Sequence, residues 1–472
     1  MTRTLVYGLA LAGDALASEL CRRGHEVVVT DDTPTPAKLA RAAELGVRWV
    51  DAPAGAATAA SLLGSIDQLC PAPGVPETHP VIVAAEAAGV PIRTEIDLAY
   101  EFEQDRPGGP RPILAVTGTD GKTTTTLMTA HLLNAAGRRA LAVGNTEVPF
   151  VAELGSDAEV FVVECSSFRL NWLRSFRAEA SVWLNFAPDH LNWHRDLAAY
   201  ERAKANLWAN LRATDVAVGD AADPVVMANL ARCAGRHITV AAAGHAGHAG
   251  RADDHADDHA DDHAADHADY HVEDGVLTGP HGPICHRSAM SRDLPHDVSN
   301  ALAAAAMVIE SGLLDAAQVA AGLASFRHPP HRIEFVADVG GVRWYNDSKA
   351  TSPHAALPAI RSFPSVVLIA GGLNKDLDLG ELAGGADHVR AVVAIGLAAG
   401  EIEAAFHGVR PVVPVTTSMA DAVAAAARLA EPGDTVLLSP ACASFDWYPG
   451  GGYPARGADF RRCVAELAAV RS

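Results

Sequence analysis

A glycine-rich run between a predicted strand and a predicted helix constrains the fold of this chain more than any other feature. The run is Gly-Thr-Asp-Gly-Lys-Thr-Thr at residues 118–124; an apolar strand at 113–116 precedes it, and a helix from about 125 to 136 follows. Backbone N–H groups at such a helix start can hold phosphate oxygens, while a lysine bridges the terminal phosphates and a threonine hydroxyl holds magnesium. The run therefore predicts a nucleotide site in a parallel α/β domain.

The run differs from the common phosphate-binding pattern at one position. GxxxxGK[ST] would need glycine at position 116, where Val116 stands, so the loop is a shortened variant. A turn that contains Gly-Lys-Thr by chance is the alternative interpretation. The predicted ATP contacts in the loop are Gly118, Thr119, Asp120, Gly121, Lys122, Thr123 and Thr124.

Possible magnesium ligands follow two other predicted strands. Glu164 ends a strand at 160–164, and Asp189-His190 comes after a strand at 181–185. A carboxylate or an imidazole at such a strand end can reach a metal beside bound phosphates. Lys204 lies in the helix that follows, where composition alone indicates a solvated surface lysine.

The N-terminal residues predict a strand–helix–strand unit. A strand at 4–7, a helix at 15–23 and a strand at 26–30 place Gly8 and Asp31 at the carboxyl edge of a parallel sheet, which is where ligands bind. Ala10 occupies the middle glycine position of GxGxxG, so this motif alone is weak. A tight turn that binds nothing is the alternative.

Length and composition predict about three domains, because domains usually have roughly 100–200 residues. Residues 104–112 contain three prolines and two glycines, which is typical of a linker, and a proline pair at 329–330 excludes a helix interior. We expect an α/β protein with a Rossmann-like domain at 1–108, a central P-loop ATPase-like domain with a mostly parallel sheet at 109–329, and a Rossmann-like domain at 330–472.

Charge and cysteine content exclude some kinds of function. The net charge of −20 argues against nucleic acid as a partner, and the seven scattered cysteines show no metal-ligand spacing and favour a reduced compartment. Residues 5–11 resemble a secretory leader, but Asp14 interrupts the apolar stretch. No run approaches the roughly 18 apolar residues of a membrane span. We therefore expect a cytoplasmic protein without a membrane span.

Residues 244–271 form a low-complexity insertion of His-Ala-Asp-Asp repeats inside the predicted central domain. Histidine-rich tracts can bind metal. A solvated loop is the interpretation that we favour, since Asp, His and Ala in alternation offer little apolar surface to bury.

The motifs along nearly the whole chain, except the insertion, resemble those of the Mur ligase family. The matching positions are 118–124, 164–168, 189–190, 200–204, 331–332, 346–351, 371–372 with Lys375, and 438–446. Each match alone is unremarkable, whereas their combination in this order is specific.

This resemblance implies an ATP-dependent ligase with two magnesium ions. Thr123 and Glu164 would hold the first ion, and His190 and a carbamylated Lys204 the second, because carbamylation turns a lysine into an anionic oxygen ligand. The implied catalytic residues are Lys122, His190, Lys204 and Lys349, and the implied ATP contacts outside the loop are Asn300, Arg332 and Asp347.

Within the family, the motifs of the third domain resemble those of members that add D-glutamate to UDP-N-acetylmuramoyl-L-alanine. The resemblance implies D-glutamate contacts at Thr351, Lys375, Ser444, Phe445 and Tyr453, and UDP-substrate contacts at Gly8, Asp31, Asn145 and Ser166. It also implies small-molecule substrates and a monomer. A family ligase with another amino acid or acceptor, and a catalytically silent nucleotide-binding homologue, are the alternatives.

Several positions depart from the family pattern. Asp120 and Asp297 stand where asparagine is usual, and Ala10, Ala12 and Ala72 replace a glycine and two hydroxyl residues in the first domain. Asp120 would repel phosphate unless a cation faces it. The three alanines leave the pyrophosphate contacts of the UDP substrate open.

Overall fold

The computed structural model describes residues 2–242, 268–375 and 377–471, and within them the chain forms two compact units, Met1–Phe326 and Arg327–Ser472. The low-complexity residues 243–267 lie outside the described residues, so our interpretation of that segment stays a prediction. The described end of the predicted insertion does belong to the fold, because Tyr270 is buried and pairs with Val240.

The first unit begins with a four-stranded parallel sheet in the order β3-β2-β1-β4 within the described residues. Its elements are β1 (Arg3–Tyr7), α1 (Leu11–Arg22), β2 (Glu26–Thr30), α2 (Pro36–Glu44), β3 (Arg48–Trp49), α3 (Ala56–Leu63), β4 (Gln68–Pro71), α4 (Pro80–Ala88) and α5 (Glu95–Gln104). The predicted strand–helix–strand unit is confirmed, with the helix starting four residues earlier than expected.

The second sheet of this unit carries the glycine loop and is also parallel. Its described strands have the order β10-β9-β8-β5-β7-β6. The elements are β5 (Ile113–Thr117), α6 (Lys122–Ala135), β6 (Ala140–Gly144), β7 (Val160–Glu164), α7 (Ser167–Leu170), β8 (Ala180–Trp183), α8 (Leu197–Ala205), β9 (Val216–Asp220), α9 (Pro224–Leu230) and β10 (Arg236–Val240), with 3₁₀ turns at Phe150–Glu153 and Asn206–Trp208.

A small antiparallel sheet and two helices complete the first unit. They are β11 (His271–Glu273), β12 (Val276–Gly279), β13 (Gly282–His286), a 3₁₀ turn at Arg287–Ala289, α10 (Pro295–Glu310) and α11 (Ala316–Ser325). The small sheet was not predicted, because its short strands are only partly buried and lack an apolar run.

The two parallel sheets of the first unit share one of their apolar clusters, and each sheet also has a cluster of its own. Val6 and Val29 of the first sheet belong to the same cluster of buried side chains as Phe161 and Val163 of the second. Arg111, in the stretch with linker composition, is buried and pairs with Glu103 of α5. Residues 104–112 therefore connect two packed layers, and the domain boundary at 108 stays a prediction.

The second unit has a six-stranded sheet in the order β14-β15-β19-β16-β17-β18 within its described residues. Its elements are β14 (Glu334–Val339), β15 (Val342–Asn346), α12 (Pro353–Arg361), β16 (Val366–Gly371), a 3₁₀ segment Leu379–His388, β17 (Val389–Ile395), α13 (Ala399–Ala405), β18 (Val412–Val415), α14 (Met419–Leu429), β19 (Thr435–Leu438) and α15 (Gly452–Arg471). The first two strands form an antiparallel hairpin, and the other pairs are parallel.

The predicted α/β class with parallel sheets is confirmed. Buried runs rich in valine and isoleucine form the central strands, as is typical of sheets covered on both faces. Among the helices that the structure describes, none combines the length and apolar character needed to cross a membrane.

Candidate functional site

The glycine loop joins β5 to α6 at the carboxyl edge of the second sheet. Gly118 and Gly121 have φ angles of +155° and +78°, which residues with a side chain rarely adopt. A Cβ on Gly121 would lie 2.6 Å from Asn300 Oδ1, and one on Gly118 would lie 3.0 Å from the Leu184 Cβ. Only glycine fits this close approach, so the sequence dictates the tight loop at the start of α6.

Asn185, which sequence reasoning did not single out, holds the loop from just beyond the end of the neighbouring strand β8. Its Oδ1 accepts hydrogen bonds from the backbone N–H groups of Thr119 at 3.0 Å and Asp120 at 2.8 Å. Lys122 Nζ donates to the carbonyl oxygens of Gly118 at 2.9 Å and Thr119 at 2.8 Å. The lysine thus lies along the loop whose phosphate it is predicted to bind.

Glu164 lies at the end of β7, in register with Val116 of β5, and is 1% exposed. One carboxylate oxygen accepts a hydrogen bond from Asn145 Nδ2 at 3.0 Å, whereas Oε2 is buried without a hydrogen-bond partner. The nearby Ser166 hydroxyl is also buried and unpartnered. Buried polar atoms normally find a partner, so these two atoms indicate a place for a ligand or a metal ion.

Lys204 is buried completely, which contradicts the surface lysine that composition suggested. Its Nζ donates to the Gly118 carbonyl at 2.6 Å and lies 4.7 Å from the centre of the Tyr200 ring. It forms no ion pair with a carboxylate of the described residues. Burial holds the pKa of this amine well below its ordinary value, and the positive charge of Lys122 lowers it further.

His190 and Asp189 follow β8 in a strained turn. His190 has a φ of +55°, and its Nε2 lies 3.3 Å from the Asp189 carboxylate. Its ring packs 4.7 Å from that of Phe168, centre to centre. Burial lowers the pKa of His190, and the Asp189 carboxylate opposes this shift. A neutral imidazole can accept a proton or bind a metal.

A second histidine in this loop, His194, was not identified from the sequence. Its two ring nitrogens lie 2.8 Å from Glu77 Oε1 and 2.9 Å from Ser167 Oγ, and all three side chains are buried. Glu77 lies between β4 and α4, and Ser167 begins α7, so the network ties the first sheet's side to the start of α7. Its members are far apart in sequence, and no local motif marks them.

Asn300 lies on α10 and meets the start of α6, where its Oδ1 accepts a hydrogen bond from Thr125 Oγ1 at 3.1 Å. The unusual Asp297, one turn earlier, is fully buried and pairs with Arg292 through both carboxylate oxygens, at 2.6 and 2.7 Å. The aspartate in place of asparagine is therefore neutralised by an arginine of this chain.

At the first sheet, Asp31 is held in place by its own surroundings. Its carboxylate accepts hydrogen bonds from the N–H groups of Leu9 at 2.8 Å and Thr33 at 2.9 Å, and lies 2.8 Å from Lys38 Nζ. These contacts outweigh burial and lower its pKa. Gly8, with a φ of +96°, brings the backbone close to the neighbouring strand. Both residues lie at the carboxyl edge of the sheet, as predicted.

In the second unit, Asp347 follows β15 and is buried. Its carboxylate accepts hydrogen bonds from the Ile333 N–H at 3.2 Å and Ser439 Oγ at 2.7 Å. Arg332 lies beside Ile333 in a turn with positive φ angles, and Lys349 Nζ lies 5.3 Å from the centre of the Tyr453 ring. The structure brings these predicted residues to one end of this sheet.

Four of the predicted D-glutamate residues lie on three loops at that same end, and the fifth, Tyr453, lies in the first turn of α15. Lys375 is exposed, with Nζ 5.9 Å from the centre of the Phe445 ring. Phe445 is half-exposed, Ser444 is buried and Thr351 is partly buried. Backbone hydrogen bonds between Leu373 and Ala443 join two of these loops. An exposed cation, hydroxyl groups and an exposed ring are suited to a small anionic ligand.

The first unit therefore brings Lys122, Glu164, His190 and Lys204 to one edge of its second sheet. Across the described ranges, no group of three or more His, Cys, Asp or Glu side chains is arranged to hold a metal ion. Magnesium commonly takes one or two protein carboxylates and completes its shell with phosphate oxygens and water. The free oxygen of Glu164 beside the glycine loop fits that pattern.

Three family models match consecutive parts of the chain. The N-terminal domain of MurD-like Mur ligases matches residues 2–94, the Mur ligase middle domain matches 116–308, and the Mur ligase glutamate ligase domain matches 331–442. Helix α5 lies between the first two matches.

Relatives and solved structures agree with these models. The UDP-N-acetylmuramoylalanine--D-glutamate ligases of Frankia casuarinae and Thermobifida fusca are 41% and 37% identical to this chain; the alignments cover 98% and 99% of it and 93% and 98% of those proteins. MurF from Acinetobacter baumannii has a similar fold, with a TM-score of 0.57 at 15% identity over 98% of this chain and 90% of that one. MurC from Thermotoga maritima has a TM-score of 0.55 at 18% identity, over 99% of this chain and all of that one. The chain belongs to the Mur ligase family.

Proposed function

We propose that this chain joins D-glutamate to UDP-N-acetylmuramoyl-L-alanine at the expense of ATP, a step of peptidoglycan synthesis. The γ-phosphoryl group of ATP passes to the carboxylate of the acceptor and gives an acyl phosphate and ADP. The amine of D-glutamate then attacks the acyl carbon, so that an amide bond forms, phosphate leaves and the amine loses a proton.

The observation that carries the reaction class is the unpartnered buried oxygen of Glu164, at the end of the strand next to the one that leads into the glycine loop. An anion-binding loop, a lysine and a carboxylate free to hold magnesium are the parts that phosphoryl transfer needs. The choice of substrates rests on the relatives, which are named as D-glutamate ligases and align over nearly their full length.

Within this proposal, Thr123 and Glu164 hold one magnesium ion, and His190 and a carbamylated Lys204 hold a second. Magnesium would neutralise charge on the transferring phosphoryl group. Carbon dioxide adds to the neutral amine of Lys204, so that an N–C bond forms and one proton leaves. The complete burial of Lys204 without a carboxylate partner supports this modification, because an unpaired buried ammonium is unfavourable.

The remaining contacts are also proposals that follow from the family resemblance. In the first unit they are loop residues 118–124 and Asn300 for ATP, and Gly8, Asp31, Asn145 and Ser166 for the UDP substrate. In the second unit they are Arg332, Asp347 and Lys349 for ATP and catalysis, and Thr351, Lys375, Ser444, Phe445 and Tyr453 for D-glutamate.

We also propose that the enzyme acts as a monomer in the cytoplasm. Its proposed substrates are small molecules, and ATP and nucleotide sugars are metabolites of that compartment. Light scattering of the purified protein should give a mass near 49.1 kDa. A concentration-independent mass of twice that value would contradict the monomer.

Phosphate release from ATP, measured across a panel of acceptors and amino acids, tests the function. UDP-N-acetylmuramoyl-L-alanine with D-glutamate should give phosphate and a product heavier by one glutamate residue. L-Glutamate, L-lysine, diaminopimelate and L-alanine are the matched comparisons, and each should release far less phosphate.

Two results would contradict the proposal in different ways. Turnover with another amino acid or another nucleotide sugar would make the chain a different amide ligase of the family. No phosphate release with any pair, from protein that still binds ATP, would make it a silent homologue.

A further inference from the structure

Arg456 lies in the first turns of α15 and is 1% exposed, which makes it one of the largest fully buried side chains of the described residues. It forms no ion pair with a carboxylate in the part of the chain that the structure describes. Burial lowers the pKa of its guanidinium to about 10. A buried cation without an anionic partner is costly, so its surroundings must compensate.

Backbone carbonyls and one hydroxyl surround this guanidinium. Nε donates to Ser348 Oγ at 3.0 Å, and Nη2 donates to the carbonyls of Ser348 at 2.9 Å and Cys442 at 3.0 Å. Nη1 donates to the Ala443 carbonyl at 3.2 Å. Ser348 Oγ in turn donates to the Tyr453 carbonyl at 2.8 Å, so helix α15 is joined to the same network.

These partners belong to the loops that carry the proposed D-glutamate contacts. We define the amino-acid loops as residues 347–351, 372–375 and 439–446, which follow β15, β16 and β19. Ser348 lies in the first, Cys442 and Ala443 in the third, and a Cβ at Gly372 of the second would lie 3.1 Å from Arg456 Nη1. The guanidinium therefore lies where all three loops meet.

The chemistry of this junction explains why a cation is placed there. Carbonyl oxygens that converge from separate loops repel one another and need donors, and one planar guanidinium supplies several donors in a fixed geometry. Its charge also favours an anion bound nearby. No contact of Arg456 with a proposed D-glutamate residue is needed for either effect.

We propose that Arg456 is a positioning residue for the amino-acid substrate: it holds the three amino-acid loops together and adds positive charge behind the site for a dicarboxylate. The identity of that dicarboxylate as D-glutamate rests on the proposed function. Arg456 acts through Ser348, Cys442 and Ala443, and it does not bind ATP or the nucleotide sugar.

Steady-state kinetics of the full-length protein test this role. In Arg456→Met, KM for D-glutamate should rise at least about tenfold, because several buried carbonyls lose a charged donor. KM for ATP and for the nucleotide sugar should change less than about threefold. Arg456→Lys keeps the charge but loses the planar donor set, and its KM for D-glutamate should lie between those of wild type and Arg456→Met.

Two further variants sharpen the test. Arg462→Met, on the exposed side of the same helix, removes pairs with Asp459 and Glu466 and should leave all three KM values unchanged. Ser348→Ala keeps the guanidinium and removes only the hydroxyl bridge. It should raise KM for D-glutamate by a few fold. If the Arg456 variants do not fold, this variant tests the positioning role in their place.

The outcomes separate this inference from the proposed function. If the wild-type protein does not use D-glutamate, the proposed function is contradicted. The KM values of the Arg456, Ser348 and Arg462 variants are then measured with the amino acid that the wild type does use. Folded Arg456 variants whose amino-acid KM is unchanged, or whose three KM values rise together, overturn the positioning role. An unchanged amino-acid KM in Ser348→Ala, when the Arg456 variants do not fold, also overturns it.

Discussion

Lys204 is a lysine whose surroundings do not suit an ammonium. It is fully buried, its Nζ contacts the Gly118 carbonyl, and Lys122 lies close enough to disfavour a second positive charge. Two like unit charges 4 Å apart repel by about 4 kcal/mol at an effective dielectric constant of 20. An ammonium would also repel magnesium at the proposed site, whereas a carbamate would bind it.

Replacing Lys204 by alanine should lower kcat by about a hundredfold or more, as removal of one strong electrostatic group at such a site does. Acetate or formate in the buffer should restore part of the rate by supplying the missing carboxylate. The readout is phosphate release as a function of acid concentration. Arg202→Ala, an exposed position on the same helix α8, is the control and should be unaffected by either acid.

Full activity of Lys204→Ala without added acid would contradict the role. A variant that folds, binds ATP and stays inactive at every acid concentration would argue against the carbamate and leave a structural amine as the explanation.

Asp220, at the end of β9, is a carboxyl group whose ionisation opposes folding. Burial raises its pKa from 3.8 to about 6, with Asp223 adding to the shift and the Ala222 N–H opposing it. Because the folded state binds the proton more tightly than the unfolded state, this group destabilises the protein increasingly as pH rises from about 4 to about 6. The effect is complete above that range.

Asp220→Asn should therefore raise the free energy of unfolding by about 2–3 kcal/mol at pH 8, since a shift of about two units corresponds to roughly that energy. The gain should shrink as pH is lowered towards 5. Urea unfolding at several pH values measures it. The exposed Asp51→Asn is the comparison and should change stability little. A gain independent of pH would contradict the assignment.

At the scale of elements, the segment between β10 and β11 can be tested through its two described ends. Ala241 donates a backbone hydrogen bond to the Tyr270 carbonyl, and Thr239 bonds to the Asp269 carboxylate. From the parallel pairing of Val240 with Tyr270, residues 242 and 268 are about 14 Å apart, given a rise of about 3.3 Å per residue and strands about 4.8 Å apart.

Replacing residues 243–267 by about six glycine and serine residues should leave activity and thermal stability near wild type, because that linker spans the gap without strain. A deletion of 243–271 is the matched comparison. It also removes the buried Tyr270 and should destabilise the protein by about 3–5 kcal/mol. Loss of activity in the shorter deletion, restored by a transition metal, would support a metal-binding role instead.

Some elements could be predicted from the sequence because a single local pattern specifies them. The strand 160–164 was predicted with the observed bounds, since it is a continuous apolar run buried on both faces. The hairpin of β14 and β15 was not predicted, because most residues of β14 are partly exposed and give no such run.

In the candidate site, too, residues in a local motif could be predicted, whereas residues that act through long-range contacts could not. The glycine loop and Glu164 were found from motifs, whereas Asn185, which holds the loop, contacts Asp120 across 65 positions of sequence. Glu77 and His194 are 117 positions apart. Such contacts depend on how strands are ordered in the sheet, and one sequence does not specify that order. The complete burial of Lys204 could likewise not be predicted from the local composition around it.

At the scale of the whole molecule, the two parallel sheets of the first unit each have an apolar cluster of their own and share a third cluster between them. The shared cluster includes residues of both sheets. In addition, buried carboxylates of α5 pair with residues of the segments that flank β7 in the second sheet. Arg169 pairs with Glu95, whose other carboxylate oxygen accepts a hydrogen bond from the Val151 N–H at 2.7 Å. Asp97 accepts hydrogen bonds from consecutive backbone N–H groups at 174–176.

This arrangement predicts that the two sheets unfold together. Arg169→Met leaves Glu95 as an uncompensated buried charge and should lower the free energy of unfolding of the first unit by about 3–5 kcal/mol. Adding Glu95→Gln should restore more than half of that loss, because the orphaned charge is then gone.

Hydrogen exchange of the full-length protein, followed in peptides from β1–β4 and from β5–β10, measures both sheets at once. In wild type and in Arg169→Met, the slowest-exchanging amides of the two sheets should open with the same free energy, and both should shift by the same amount. Exchange in which β1–β4 opens several kcal/mol more readily than β5–β10 would show that the first sheet is an independent domain and that the shared core does not couple them.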